Sequence, residues 1–476
     1  MTPNPLPASS PAQQGVAAAG LQSFLDTVGK APGIELHGLV VLRHGHVIVD
    51  AAWHPYRRDR VHQLYSLSKS FTGAAAGLAV AEGLLDLDAP VVSYCPEFAA
   101  DVADGGSRSI LVRHLASMTT GHTGDTWTRA VVTDPAEPVR GFLLQPPQRP
   151  PGSAFSYQQA ASYVLAALVQ RATGGPLTDY LRPRLFDPLG IEDARWERYA
   201  GRDLGFSGLY LTTGAVARLG QLHLRRGRWG ERTLLPPEWV DEAARTQART
   251  SGNGPDWQRG YGFQFWQSRF GYRGDGTYGQ FCLVLPEQDA VVAITAGATD
   301  MQGLLDAVWA HLLPAFAPRS LDAGADDALG ARLATLELPL PPTAGAPCPA
   351  PESWADATFT AAGRVCQPQP SLRRVTVTAQ GDGWRVTLAE PSSRLDLTLG
   401  GGGWTTIEAD AASRTPPCAV SGGWTGPETL AFDVVFLETP HRLAVTCSLR
   451  NRTFQAHWHT PPLGTGLLRD LRAPDT

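Results

Sequence analysis

Leu64-Tyr65-Ser66-Leu67-Ser68-Lys69-Ser70-Phe71, residues 64–71, opens an apolar and small-residue run that continues through Leu78, Ala79 and Val80. The run reads as a buried helix ending near Gly83, which sets Ser66 and Lys69 three residues apart on one face. A serine hydroxyl is a poor nucleophile at neutral pH until a base takes its proton. An amine desolvated inside an apolar helix loses enough basicity to help. A serine in the first helical turn also lies where backbone N–H groups and the positive end of the helix dipole meet an oxyanion. The only other lysine is Lys30, and arginine supplies the remaining cations. Arginine does not deprotonate in a protein, so a lysine in this helix reads as a titratable amine. The bland alternative is a lysine with its head in solvent.

Composition bounds the rest. At 476 residues the chain calls for two or three domains. A hydrophobic share of 43% and a charged share of 18% fit an ordinary soluble protein with large cores. A formal net charge of -5 with no basic block argues against a nucleic-acid partner. No stretch approaches the roughly 18 apolar residues of a membrane helix, so no membrane partner is expected. Residues 1–14 lack the basic and apolar regions of a secretory signal. Cys95, Cys282, Cys348, Cys366, Cys418 and Cys447 are widely spaced, without a Cys-x-x-Cys pair. They read as reduced, mostly buried thiols, and the expected location is cytoplasmic.

Taken in order, residues 1–14 read as a disordered tail and 16–28 as a helix. Residues 36–42 and 46–53 read as strands joined by a tight turn at Arg43-His44-Gly45. After the Ser66 helix comes a short helix at 110–118, then a Pro-rich loop over 125–151 of the kind that lines sites. Pro151-Gly152 introduces Tyr157 at the mouth of a second apolar helix, 160–172, capped by Gly174-Gly175. A phenolate beside an ammonium is a competent general base, since each charge stabilises the other, although a tyrosine at a core edge would look the same. Helices follow at 177–186, 213–226 and 237–245. The aromatic stretch of Trp257, Tyr261, Phe263, Phe265 and Trp266 walls a pocket or, the stronger reading, fills core. Arg273-Gly274-Asp275-Gly276 leads into a second hairpin, 281–285 and 290–295, expected to pair with the first. Its glycines suit close approach of a substrate to the backbone. A helix at 301–313 closes this part.

Ser66, Lys69, Tyr157 and the glycine-rich strand, in this order and at these intervals, resemble the penicillin-recognising serine hydrolases. The resemblance covers about the first 315 residues and points to the class C β-lactamase-related branch, which also holds esterases, D-amino-acid peptidases and amidases. Residues 83–90, 115–121 and 185–191 look similar too. The resemblance implies an α/β fold of the α+β type, with an antiparallel sheet flanked by helices, a helical subdomain, and the site at their junction. It also implies Ser66 as acylated nucleophile, Lys69 as its partner and Tyr157 as general base. The oxyanion hole would combine the Ser66 N–H with one from the strand after Gly276. No cofactor or metal is implied.

Two departures bear on substrate. The family's Tyr-x-Asn reads Tyr157-Gln158-Gln159 here, and either Gln158 or Gln159 is a candidate for the amide. Where the family offers Lys or His before Thr-Gly or Gly-Gly, this chain has Arg273, Gly274, Asp275 and Gly276, of which Arg273, Asp275 and Gly276 are candidate substrate contacts. Asp275 would repel an acidic substrate unless Arg273 offsets it. The expectation is ester or amide cleavage of a small neutral or cationic molecule, with weak or no β-lactamase activity. The alternatives are an acylable sensor with little turnover and an acyltransferase.

The hydrolase domain is expected over 15–317, a linker over 318–352, and a C-terminal all-β domain over 353–476. In the last, strands at 374–379, 384–389, 394–399, 429–437, 442–449 and 453–459 imply an antiparallel meander or small barrel. His457 and His459 share a face of the last strand without a visible third metal ligand, and read as solvated or core-edge histidines.

Overall fold

Two hairpins, far apart in sequence, assemble the sheet that carries the site. The first joins β1 (Leu36–Arg43) to β2 (His46–Ala52). Its turn residues His44 and Gly45 both adopt left-handed backbone, φ 51° and 79°, matching the twist of the flanking strands. In this computed structural model, which describes residues 6–318, 320–362, 369–381, 383–410 and 414–475, the second hairpin docks edge-on against the first. With β3 (Trp266–Gln267), β4 (Tyr272–Gly276), β5 (Gln280–Leu285) and β6 (Ala290–Ala296), the order is β3-β4-β5-β6-β1-β2, antiparallel throughout. Leu39 faces Ile294 and Val41 faces Val292, so the expected pairing of the hairpins is observed.

Both faces of the sheet are covered, which is why its strands read as near-continuous apolar runs. On one face lie α1 (Ala18–Lys30) and the C-terminal helix that begins at Met301. On the other lies the helical subdomain, with α2 (Ser68–Ala81), α3 (Gln159–Thr173) and α4 (Thr213–Leu224) sharing one core. Gly77 lets α2 approach Trp239, where a Cβ would sit 2.5 Å from the indole. The loop expected over 125–151 contains two short helices, Trp127–Thr133 and Pro138–Leu143, the second with its proline in the first turn where the missing N–H costs nothing.

The C-terminal domain is one nine-stranded sheet, β7 (Ala357–Ala361), β8 (Arg374–Gln380), β9 (Gly383–Ala389), β10 (Arg394–Leu399), β11 (Thr405–Ile407), β12 (Cys418–Trp424), β13 (Thr429–Phe436), β14 (Arg442–Ser448) and β15 (Thr453–Trp458). The order is β10-β9-β8-β7-β15-β14-β13-β12-β11, with β7 and β15 parallel and the other ladders antiparallel. The end strands meet side by side, so the sheet is nearly a closed barrel around its own core. The short β7 and β11, and β12 with Gly422 and Gly423 inside it, are additions to the expected strands.

Two expectations on chain ends and joints change. Residues 6–14 are not a loose tail: Val47 N–H donates to Pro7 O and Ser9 N–H to Val47 O, and residues 12–14 form a 3₁₀ turn. The stretch expected as a linker is docked. Its helix Ala323–Leu333 packs on α1, with Arg332 paired to Asp26 at 2.7 Å, and Leu338 N–H donates to His54 O. Trp404, Ala419, Val435 and Leu437 of the C-terminal domain enter the same core as Trp53 and Tyr56. Buried Arg442 clasps Glu35 of the first domain and Asp433 of its own. The five cysteines within the described residues are free and four are buried; Cys366 lies outside them. Among the described residues, no helix is long and apolar enough to cross a membrane.

Candidate active site

The segment before α2 makes a 3₁₀ turn over Tyr65–Leu67, so Ser66 sits at the very entrance of the helix and Lys69 in its first turn. Tyr65 is held at φ 48°, a left-handed conformation that costs a non-glycine residue of order 1 kcal/mol or more. It turns the Ser66 hydroxyl toward the cleft while the next residues enter the helix.

Lys69 is buried, 1% exposed, the reading preferred over a solvent-facing head. Its Nζ donates to Ser66 Oγ at 3.0 Å, Gln159 Oε1 at 2.7 Å and Phe206 O at 2.8 Å. All three acceptors are neutral. Desolvation without an ion-paired carboxylate brings the amine down to about 7, against weaker upward pulls from Asp125 and Asp275. Nζ also lies 4.8 Å from the centre of the Tyr157 ring.

Tyr157 stacks on Trp266, with ring centres 5.4 Å apart, and meets Tyr261 edge-on. Part of the aromatic stretch therefore backs the site while Phe263 and Phe265 fill core. Burial pushes the Tyr157 phenol above its ordinary value, and hydrogen bonding toward Ser66 only partly offsets this. At neutral pH the phenol is protonated, and the more easily freed base beside Ser66 is Lys69.

The two glutamines part company. Gln159, the first residue of α3, faces Lys69, and its N–H is capped by Asp125 Oδ1 at 3.0 Å. Gln158 points away into the protein, fully buried, donating to Thr120 Oγ1 at 2.9 Å; it is not a substrate contact.

The third motif is also corrected. Adjacent strand residues point to opposite faces, and here the glycines face the catalytic helix. A Cβ on Gly274 would lie 2.2 Å from Leu67 Cδ1, and one on Gly276 2.1 Å from Leu64 O. These glycines admit the Ser66 turn against the strand. Arg273 lies on the other face with no exposed surface. It donates to Asp275 Oδ2 at 2.8 Å and to Asp256 O, Gln267 O and Ser268 Oγ, and stacks over Trp257. It cannot reach a substrate. Asp275, raised by burial and held down by Arg273, spends its hydrogen bonds on Arg273 and Trp257. The expected offset of its charge by Arg273 is thus present, but neither residue is a substrate contact.

The cleft over Ser66 has a volume of about 620 Å³ and is lined from both domains. Trp127, at the start of the 125–151 region, and Phe206 form its aromatic side in the first domain. From the second come Thr439, His441 and residues 462–467. His441 is fixed by its Nδ1 on Thr460 O at 2.8 Å, which leaves Nε2 to accept from the Tyr65 hydroxyl at 2.8 Å. Burial lowers His441 to about 4, so it stays neutral in this role. The C-terminal domain thereby braces the residue immediately before the candidate nucleophile. Sequence spacing carried no sign of Gln63, Glu197, Tyr210 or His441 at the site, because they converge from separate loops and strands. His457 and His459 are exposed, their rings 5.9 Å apart.

A helix-entrance serine hydrogen-bonded to a buried lysine, beside an antiparallel sheet, is an arrangement that fits a class of serine hydrolases. The sequence family described as Beta-lactamase matches residues 21–311, and the chain belongs to that family of penicillin-recognising serine hydrolases. Esterase EstB of Burkholderia gladioli is 32% identical over 36% of this chain and 49% of its own length. The 6-aminohexanoate-dimer hydrolase of Paenarthrobacter ureafaciens is 25% identical over 53% of this chain and 70% of its own. The chain spans about half the length of the curated esterases it matches. Among solved structures, a 6-aminohexanoate-dimer hydrolase homologue from Bacillus anthracis covers 66% of this chain and 88% of its own, at 19% identity and TM-score 0.55. SurE covers 90% of this chain and 98% of its own, at 20% identity and TM-score 0.52, so the likeness of fold takes in the C-terminal domain.

Proposed function

We propose that this protein is a serine hydrolase that cleaves an ester or amide bond of a small molecule through an acyl-enzyme on Ser66. The observation that carries the reading is a buried amine, lowered to about 7 by desolvation, 3.0 Å from the Ser66 hydroxyl. Lys69 in its free-amine form takes the proton as Ser66 Oγ attacks the carbonyl carbon. The oxyanion forms against the N–H groups of Ser66 and Thr277, at the helix entrance and the end of β4. The protonated Tyr157 phenol passes a proton to the leaving group and recovers it from Lys69, and water then releases the acyl group by the reverse relay. Gln159 holds the lysine in place, in the role the family gives to asparagine.

A side chain at Gly274 would collide with Leu67 and Ser70, Arg273 is turned away, and among the described residues no arginine or lysine lines the cleft to meet a β-lactam carboxylate. This supports ester or amide turnover over β-lactam turnover. The test is a fluorophosphonate probe with intact-mass analysis, followed by p-nitrophenyl esters and a chromogenic cephalosporin side by side. The expected result is one adduct on Ser66, absent in S66A, with ester turnover exceeding cephalosporin turnover. An unmodified mass, or an adduct that persists in S66A, overturns the reading.

A further inference from the structure

Two carboxylates line the cleft, Glu197 and Asp470, and this chemistry uses neither; Glu197 is the one without a counter-charge. Glu197 lies between the short strands Arg195–Trp196 and Arg198–Tyr199 and lines the same cavity as Ser66. Its Oε1 accepts from the Tyr210 hydroxyl at 3.0 Å and from Gln63 Nε2 at 3.2 Å, and both donors also line the cleft. Gly208, at φ 75°, makes room for the group: a Cβ there would lie 2.6 Å from Glu197 Cβ and 2.9 Å from Oε2. The orientation of the carboxylate is therefore built in, with Oε1 held by neutral donors and Oε2 left without a hydrogen-bond donor among the described residues.

The lack of a counter-charge sets it apart. Burial raises four carboxylates among the described residues. Asp50 is offset by Arg58, Asp275 by Arg273 and Glu438 by Arg195, whereas Glu197 has only the Tyr210 and Gln63 hydrogen bonds. Glu197 is partly exposed to the cleft but desolvated, and a desolvated carboxylate without a cation carries a cost that a cation brought by a ligand removes. Among the described residues that line the cavity there is no arginine or lysine, and Lys69 behind Ser66 is already held by Ser66, Gln159 and Phe206. The cavity's other acid, Asp470, already accepts from the Leu467 N–H and lies 3.8 Å from Arg414. Trp127, Phe206 and Tyr210 line the same cavity, and aromatic rings attract cations.

We propose that Glu197 is a specificity-determining residue whose carboxylate receives a protonated amine carried by the substrate. This rests on the serine hydrolase reading for its kinetic consequences but not for binding, so the test has two arms. In S66A protein, isothermal titration calorimetry follows titration with n-butylammonium, n-butanol or butyrate. The ammonium should bind roughly tenfold or more tightly than the alcohol, butyrate should be excluded, and E197Q in that background should erase the preference. In Ser66 protein, kcat/KM is compared for the p-nitrophenyl esters of 3-aminopropanoate and butanoate, which differ only in charge and amine. The charged-to-neutral ratio should exceed one and fall about tenfold in E197Q, mostly through KM, with E197D intermediate. Equal binding of ammonium and alcohol, or a preference that survives E197Q, overturns the proposal. Ester turnover and fluorophosphonate labelling with no ammonium preference sinks this inference alone. Absent labelling with the ammonium preference intact sinks only the hydrolase reading.

Discussion

Lys69 and Arg273 are both buried basic side chains, and they have opposite fates. Arg273 has a carboxylate 2.8 Å away, three oxygen acceptors from neighbouring groups and an indole beneath it. Lys69 has only neutral oxygens within hydrogen-bonding distance. The first arrangement fixes a charge and makes it structural. The second makes the charged form costly and leaves a free amine available near neutrality. Residue type and counter-charge act together: an arginine beside a carboxylate is a brace, and a lysine buried without one is the candidate base.

The largest effect should come from removing that difference. In K69R the cation can no longer deprotonate, and the acylation rate of Ser66 should fall by about 10²–10⁴ while the fold persists. Burst kinetics with a p-nitrophenyl ester measure it, and near-normal acylation would break the contrast. The complementary change acts on stability. R273L strands Asp275 in the interior and should cost about 3–5 kcal/mol in urea unfolding, whereas R273L with D275L should recover much of it.

Gly276→Ala tests whether the strand glycines serve the turn. A methyl group 2.1 Å from a backbone oxygen cannot be accommodated without shifting the Ser66 turn, so about 1–3 kcal/mol of stability should be lost together with acylation. Stability without loss of acylation would mean the strand gives way instead. The smallest expected effect is at the domain junction. A double-mutant cycle of Y65F and H441N should give a coupling of about 1 kcal/mol in Ser66 acylation, because the Tyr65–His441 hydrogen bond holds a strained backbone.

How much was legible follows from the same physics. Ser66, Lys69, Tyr157 and Gln159 lie on or beside helix entrances, where spacing in sequence becomes distance in space. The paired hairpins announced themselves through β-branched runs and the His44-Gly45 turn. Gln158, Arg273 and Asp275 misled because a motif position does not say which face of the backbone a side chain takes. β12 was not among the expected strands, and its Gly422 and Gly423 interrupt the alternation that marks one; in the fold they let residues 343–346 and β13 come close, with Thr343 O 2.2 Å from where a Gly423 Cβ would lie. Glu197, Tyr210 and His441 were hidden because loops and a second domain bring them together, with no local period to betray it.

The most direct test of the central claim is the pH dependence of Ser66 labelling by a fluorophosphonate, read by intact mass as a second-order rate. Below its pKa Lys69 is an ammonium that cannot take the serine proton, and above it the amine is free. The rate should therefore rise with pH through an apparent pKa of about 7, and K69R should lose that step. A rate that stays flat through this range and climbs only near the ordinary lysine value of 10.5 would contradict the account.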